Sequence, residues 1–228
     1  MSEISFTEVI CQTGKKTAVI TLTRASALNA LSFDMLQQMQ LWLHAWQQDD
    51  AIQGVIIHSE TPAAFCAGGD LKALYHNMDT VNSGAIDYFE LEYAIDRLIY
   101  HYSKPYIALM SGITMGGGVG ISLHGSHPVV FESTRLAMPE SKIGFFVDAG
   151  ISYHLSRLPH QVGCWMALTG LSIDADDCCA LGLSAFKIAT DDYDSVLNAL
   201  QRTDWGQDPH NTVDIILQSF HQKPDKSL

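Results

Sequence analysis

The run Lys104-Pro-Tyr-Ile-Ala-Leu-Met-Ser-Gly-Ile-Thr-Met-Gly-Gly-Gly-Val-Gly120 decides how this chain is read. Tyr106 to Met110 is apolar without interruption and fits a buried strand. Glycines then crowd positions 112, 116, 117, 118 and 120, ahead of a helix expected from Val119 to His124. Three consecutive glycines weaken an ordinary helix start. They mark instead a close approach of the backbone to a ligand or to another helix. The run is not the dinucleotide fingerprint G-x-G-x-x-G, because Leu123 stands at the third glycine's place. No Lys-Ser/Thr follows, so it is not a phosphate-binding P-loop either.

Upstream, Ala64-Phe65-Cys66-Ala67-Gly68-Gly69-Asp70 has the same grammar: a strand, a glycine turn, then a helix from Leu71 to His76. Taken alone, this is a tight strand-to-helix turn with Asp70 as an early-helix acid. Two such turns say more than one. An N–H from each can converge on one oxygen, the geometry a thioester carbonyl needs as it becomes an oxyanion.

Further strands are expected at Ala18–Leu22, Gly54–His58 and Pro128–Phe131. Helices are expected at Phe33–Gln48, capped by Ser32, and at Ala85–Tyr102. Strands alternating with helices make an α/β chain. After Ala185 the pattern weakens; Asp191 to Asp194 resembles a helix entry, and the last five residues a frayed tail.

Composition narrows the function. The 228 residues carry 13 Lys plus Arg against 25 Asp plus Glu, a net charge of −12. That balance excludes a basic nucleic-acid footprint. No apolar run approaches the roughly 18 residues of a membrane span. Met1 to Glu8 has neither the basic-then-apolar order of a secretory signal nor the composition of a transit peptide. Cys11, Cys66, Cys164, Cys178 and Cys179 are odd in number and lack C-x-x-C spacing, so reduced thiols and a cytoplasmic setting are expected. His124-Gly-Ser-His127 has ligand-like spacing but no third ligand nearby, so no metal is expected.

The two glycine turns resemble those of the crotonase (enoyl-CoA hydratase/isomerase) superfamily. So do Thr23-Arg24-Ala25-Ser26-Ala27-Leu28-Asn29-Ala30-Leu31-Ser32 and Ala137-Met-Pro-Glu-Ser-Lys-Ile-Gly-Phe-Phe-Val-Asp148. The resemblance runs in continuous order over residues 15–185. Ala25 departs from it, standing where proline is usual. It implies a spiral of ββα units forming an acyl-CoA-binding core over residues 1–190, with a short C-terminal helical segment and tail over 191–228. It also implies a thioester carbonyl held by the N–H groups of Gly69 and Gly117, with Gly68 and Asp70 in the same turn.

Side chains choose among the superfamily's reactions. Hydratases carry one glutamate after the triple glycine and another in the Pro-Glu segment. Here the first position is Gly120 and the second Glu140. Hydration needs proton transfer at two carbons, so it is demoted. Asp148, eight residues after Glu140, makes the chain similar to the 3-hydroxyisobutyryl-CoA hydrolase branch, which cleaves β-hydroxyacyl-CoA thioesters in valine breakdown. Val147, where proline is usual, and Ala149-Gly150-Ile151-Ser152 depart from that branch. Glu140 and Asp148 are the catalytic candidates. Read without the resemblance, Glu140 is a first-turn helix acid and Asp148 an N-cap for the helix carrying Ile151, Leu155 and Leu158.

Glu92 shares a helix face with Tyr88, Ile95 and Ile99, and its placement is similar to a substrate-contacting glutamate of that branch. Arg24 and Lys72 are candidates for the CoA phosphates, or simply solvated bases. No cofactor is implied beyond the CoA of the substrate, and an oligomer of identical chains is usual in the superfamily. At 228 residues the chain is shorter than hydrolase-branch members, which continue into a further C-terminal helical segment. Isomerisation or hydration of an enoyl-CoA, and acyl-CoA binding without catalysis, remain the alternatives.

Overall fold

The computed structural model describes residues 3–77 and 83–225. Residues 226–228 of the expected tail, and Met1 and Ser2 of the N-terminal reading, lie outside the described residues.

Strands β1 (Ile4–Ile10) and β2 (Lys16–Leu22) form an antiparallel hairpin. Helix α1 (Phe33–Gln48) follows, with the Ser32 hydroxyl accepting from the Met35 N–H at 3.3 Å. Its buried stripe is Met35, Leu36, Met39, Leu43 and Trp46, the helical spacing the sequence shows.

A unit of two strands and a helical segment then recurs. β3 (Ile52–Ser59) and β4 (Ala64–Cys66) lead to α2 (Leu71–Asn77) and α3 (Ser83–Tyr100). β5 (Tyr106–Met110) and β6 (Ile113–Met115) lead to α4 (Gly117–Leu123). β7 (His127–Phe131) and β8 (Arg135–Ala137) lead to a 3₁₀ turn at Glu140–Ile143, then α5 (Ser152–Leu155) and α6 (Val162–Thr169). β9 (Ile173–Asp174), α7 (Ala175–Ala180), β10 (Phe186–Ile188), α8 (Tyr193–Arg202) and α9 (Pro209–Phe220) complete the described chain.

The first strand of each unit enters a six-stranded sheet ordered β1-β2-β3-β5-β7-β10. The second enters a four-stranded sheet ordered β4-β6-β8-β9. Within each sheet the strands of successive units pair in parallel. This is the spiral of ββα units that the resemblance implies.

The large sheet is apolar on both faces, as parallel sheets require. Val55, Ile57, Ala108, Met110 and Val130 point to a core shared with α1, α3 and α4. Ile56, Ile107, Leu109, Val129 and Phe131 point the other way, against Val196, Leu200, Trp205, Val213 and Leu217 of the C-terminal segment. Trp205 is fully buried, and a side chain at Gly54 would collide with its ring. The segment after residue 190 is thus one wall of the core.

Candidate active site

Since β4, β6 and β8 lie side by side in parallel, the residues after each strand meet at one sheet edge. They are Ala67-Gly68-Gly69, Gly116-Gly117 and Met138-Pro139-Glu140. One segment from each unit of the spiral thus builds the site.

Gly68 (φ +104°) and Gly116 (φ +52°) occupy the region that side chains disfavour. A methyl group on Gly68 would lie 3.1 Å from Met115 O and 3.5 Å from Gly117 N, so the two turns are in contact. Leu31 N–H donates to Gly68 O at 2.8 Å, and Asp70 N–H to Leu31 O at 2.9 Å. Val119 and Gly120 N–H groups donate to Gly116 O. These bonds pass over the N–H groups of Gly69 and Gly117, which have no protein acceptor among the described residues. At Gly117 this is the ordinary state of a helix's first residue.

Carboxyls surround those N–H groups. Glu140 opens the 3₁₀ turn and is 7% exposed. Its Oε1 lies 3.0 Å from where a methyl on Gly116 would sit, and its Oε2 has no hydrogen-bond partner. Glu92 on α3 is 3% exposed and occupies the space that a side chain on Gly117 would need. The Tyr88 hydroxyl is 3.5 Å from Glu92 Oε1 and donates to Leu31 O at 3.1 Å. Asp148 Oδ2 accepts from the Tyr93 hydroxyl at 3.0 Å. All three acids line a cleft of about 180 Å³ with Gly69, Gly117 and Phe145.

The N-cap reading of Asp148 is corrected. Helix α5 starts after Ile151 without a side-chain cap, and Ile151 N–H bonds the main-chain oxygen of Asp148 at 2.9 Å. Ala149 at φ +47° turns the chain, and the Asp148 carboxyl faces the cleft instead. The first-turn position of Glu140 holds, but in a 3₁₀ turn whose acid is buried.

Like charges in a dry site suppress ionisation. Burial, reinforced by Asp148 and Glu140, pushes Glu92 up to about 8 despite the Tyr88 hydroxyl. Burial, opposed by its own backbone N–H and aided by Asp148, pushes Glu140 up to about 7. Burial also raises Asp148, against the Tyr93 hydroxyl that lowers it.

One acid escaped the sequence reading. Asp96 is 4% exposed, neither of its oxygens has a hydrogen-bond partner, and burial with the charges of Glu92 and Asp148 holds it well above the usual carboxylate range. A methyl on Gly120 would lie 2.8 Å from its Oδ1. A carboxyl delivered from α3 therefore fills the space beside Gly120. The available signal was its position four residues after Glu92 on one helix face.

The other predicted residues lie around the first turn. Asp70 Oδ1 accepts the Ala73 N–H at 2.9 Å, in the manner of a cap on α2. Partial burial pushes Asp70 up, but that N–H and Arg24 outweigh it and hold it low. Arg24 is committed to protein: it pairs with Asp70 at 2.6 Å and Glu3 at 3.0 Å and donates to Ala30 O at 2.9 Å. Lys72 is exposed on α2 and shares a second hollow with Arg24, Gly69 and Asp70. His124 and His127 diverge, the first toward Ala149 O and the second toward Ser126 and Asp214. Among the described residues no group of three or more His, Cys, Asp or Glu is placed to hold a metal. No helix there is long and apolar enough to cross a membrane.

The sequence profile of the family described as enoyl-CoA hydratase/isomerase matches residues 17–228. The chain belongs to that family. Among the relatives of this family member, a protein of Gallus gallus named "3-hydroxyisobutyryl-CoA hydrolase, mitochondrial" is 43% identical over 180 residues, covering 79% of this chain and 47% of its own. The "Small ribosomal subunit protein mS47" of Neurospora crassa is 42% identical over 153 residues, covering 66% of this chain and 30% of its own. The crystal structure of a carnitinyl-CoA dehydratase from Mycobacterium thermoresistibile superposes with a TM-score of 0.89 at 33% identity, over 100% of this chain and 63% of that one. The chain spans about half the length of the hydrolase relatives it matches. Since one identity level reaches both a hydrolase and a ribosomal protein, the family alone does not choose an activity, and the site's chemistry must.

Proposed function

We propose that this chain binds an acyl-CoA thioester in the cleft and hydrolyses it to free acid and CoA, the acyl group being a β-hydroxyacyl of the 3-hydroxyisobutyryl type. The observation that carries this reading is the meeting of Glu92, Glu140 and Asp148 with the unengaged N–H groups of Gly69 and Gly117. The two N–H groups stabilise the thioester oxygen as it gains negative charge.

Glu140 begins the reaction by one of two routes. It takes a proton from a water whose oxygen adds to the carbonyl carbon, or its own oxygen adds and water later cleaves the anhydride. In both, the C–S bond breaks with its electron pair on sulfur, which then takes a proton. An ionisation near 7 lets Glu140 act as base and then as acid at neutral pH. Single turnover in isotopically labelled water marks the Glu140 carboxyl only by the anhydride route. Asp148 orients the water or the substrate hydroxyl, and Glu92 holds the β-hydroxyl. Gly68 and Asp70 shape the first turn, Arg24 braces it, and Lys72 faces the CoA phosphates. No cofactor enters, since CoA arrives with the substrate. A cytoplasmic setting and a homo-oligomer go with this reading; the avian relative is named mitochondrial.

A free-thiol assay over a panel of acyl-CoAs tests it, with 3-hydroxyisobutyryl-CoA and 3-hydroxypropionyl-CoA included. CoA release is expected from the β-hydroxyacyl thioesters. Glu140→Gln is expected to lower it by on the order of 10²–10⁴ while substrate binding is kept. A change in enoyl absorbance without free thiol would replace this reading by hydration or isomerisation. Tight binding without turnover would make the chain an acyl-CoA-binding protein.

A further inference from the structure

Neither His124 nor His154 lines the cleft, and the mechanism above uses neither. His124 ends α4, one turn after Gly120. Its Nε2 is 2.7 Å from Ala149 O. A carbonyl only accepts, so Nε2 carries the hydrogen. His154 Nε2 stands 3.3 Å from His124 Nδ1. In a neutral His124 that Nδ1 is an acceptor, so His154 donates to it. Burial holds both imidazoles below their ordinary value, His154 to about 4 with help from His124 and Arg157, and both are neutral at pH 7. The hydrogen bonds therefore run one way, from His154 to His124 to the Ala149 carbonyl.

That carbonyl belongs to a residue that does not hold its conformation unaided. Ala149 is 1% exposed and sits at φ +47°, where a Cβ is disfavoured. A methyl on the following Gly150 would lie 2.9 Å from His124 Nε2, and Ala149 Cβ is packed against Gly120. The peptide is thus gripped by α4 from behind, while Asp148, one residue earlier, faces the cleft.

We propose that His124, fixed in its tautomer by His154, is a positioning residue for Asp148: it pins the Ala149 peptide in the left-handed turn that aims the Asp148 carboxyl at the substrate. The inference rests on the hydrolase reading for its kinetic consequence, though not for the pinning itself.

His124→Leu removes the donor, His124→Gln keeps an N–H near the same place, and His154→Phe removes the tautomer lock. Leu is expected to lower kcat on β-hydroxyacyl-CoA about tenfold with KM little changed, as a displaced catalytic group does. Gln is expected to restore most of it, and Phe to cause a smaller loss. Amide hydrogen exchange gives a readout that needs no turnover. The Ile151 N–H, bonded to Asp148 O, is expected to exchange faster in His124→Leu and at the wild-type rate in His124→Gln. Equal losses in Leu and Gln, or wild-type kcat and exchange in Leu, overturn the proposal. If His124→Leu does not fold, His154→Phe decides: wild-type kcat and exchange there overturn it as well. Wild-type protein that releases no CoA sinks the hydrolase reading, while the exchange rates still decide the pinning.

Discussion

Replacing Glu92 by glutamine should change how the stability of this protein depends on pH. Glutamine has the shape of a protonated glutamate and cannot ionise. Glu92 is 3% exposed and its ionisation is pushed from 4.5 to about 8, chiefly by burial and then by Asp148. Below 4.5 the carboxyl is protonated in both folded and unfolded chains and costs nothing. Between 4.5 and about 8 only the unfolded chain releases the proton, so stability falls as pH rises through this window. At about 1.4 kcal/mol per pH unit, the fall reaches a ceiling of about 5 kcal/mol and then levels off. Glu92→Gln escapes it. Urea unfolding of both proteins across the range should show the variant gaining on the wild type from acid to mildly alkaline pH. Curves that stay parallel throughout would mean that Glu92 is hydrated or ionised in the folded state, and the account of the acid cluster would fail with it.

Three other perturbations follow. Gly118→Ala drives a methyl group into the Cys66 carbonyl and to 2.8 Å from Cys66 Cβ, where α4 lies on β4; it should cost about 1–3 kcal/mol in urea unfolding. Tyr93→Phe removes the hydroxyl that lowers Asp148; the Asp148 carboxyl should titrate at higher pH by NMR, and an unmoved titration would mean that this hydroxyl does not bond it in solution. Trp205→Ala empties a fully buried site between the large sheet and the C-terminal helices; thermal and urea melts should register about 3–5 kcal/mol of lost stability.

Much of this was legible in the residues. Ser32 and the apolar stripe of α1 gave both ends of that helix, because a capping hydroxyl and a long periodic run are strong local signals. Tyr106–Met110 was equally clear, being apolar on both faces. The strands of the small sheet were harder. β4, β6 and β8 are three residues each, too short for any period to show: β4 is legible only as the start of its strand-turn, β6 lies inside the stretch read as the glycine turn from Gly112 to Gly120, and β8 carries no signal of its own. β1 was passed over because an edge strand with a mixed burial pattern has no clean alternation. α9 falls within the segment expected to be helical, but its bounds do not show although Asp208 caps it and Pro209 opens it, since Gln, Ser, Asn and His dilute its apolar face. At the site the paired glycine turns are marked by their own composition, whereas Glu140 and Asp148 read alone as a first-turn acid and an N-cap and stand out only through the family resemblance. Asp96 does not stand out even so: a buried acid looks like a surface acid until the partner helix is in place, and that helix comes from another turn of the spiral.

The sheet edge that carries the site also acts as a ruler. Neighbouring strands lie about 4.8 Å apart, a spacing fixed by main-chain hydrogen bonds and indifferent to side chains. The segments that carry Gly69, Gly117 and Glu140 leave three adjacent strands, so their starting points lie one interval apart. Changing a side chain alters what a segment carries but leaves the strand spacing from which it starts. A new chemistry on this scaffold would come from choosing which strand supplies the acid, because the spacing of the strands is set by the backbone.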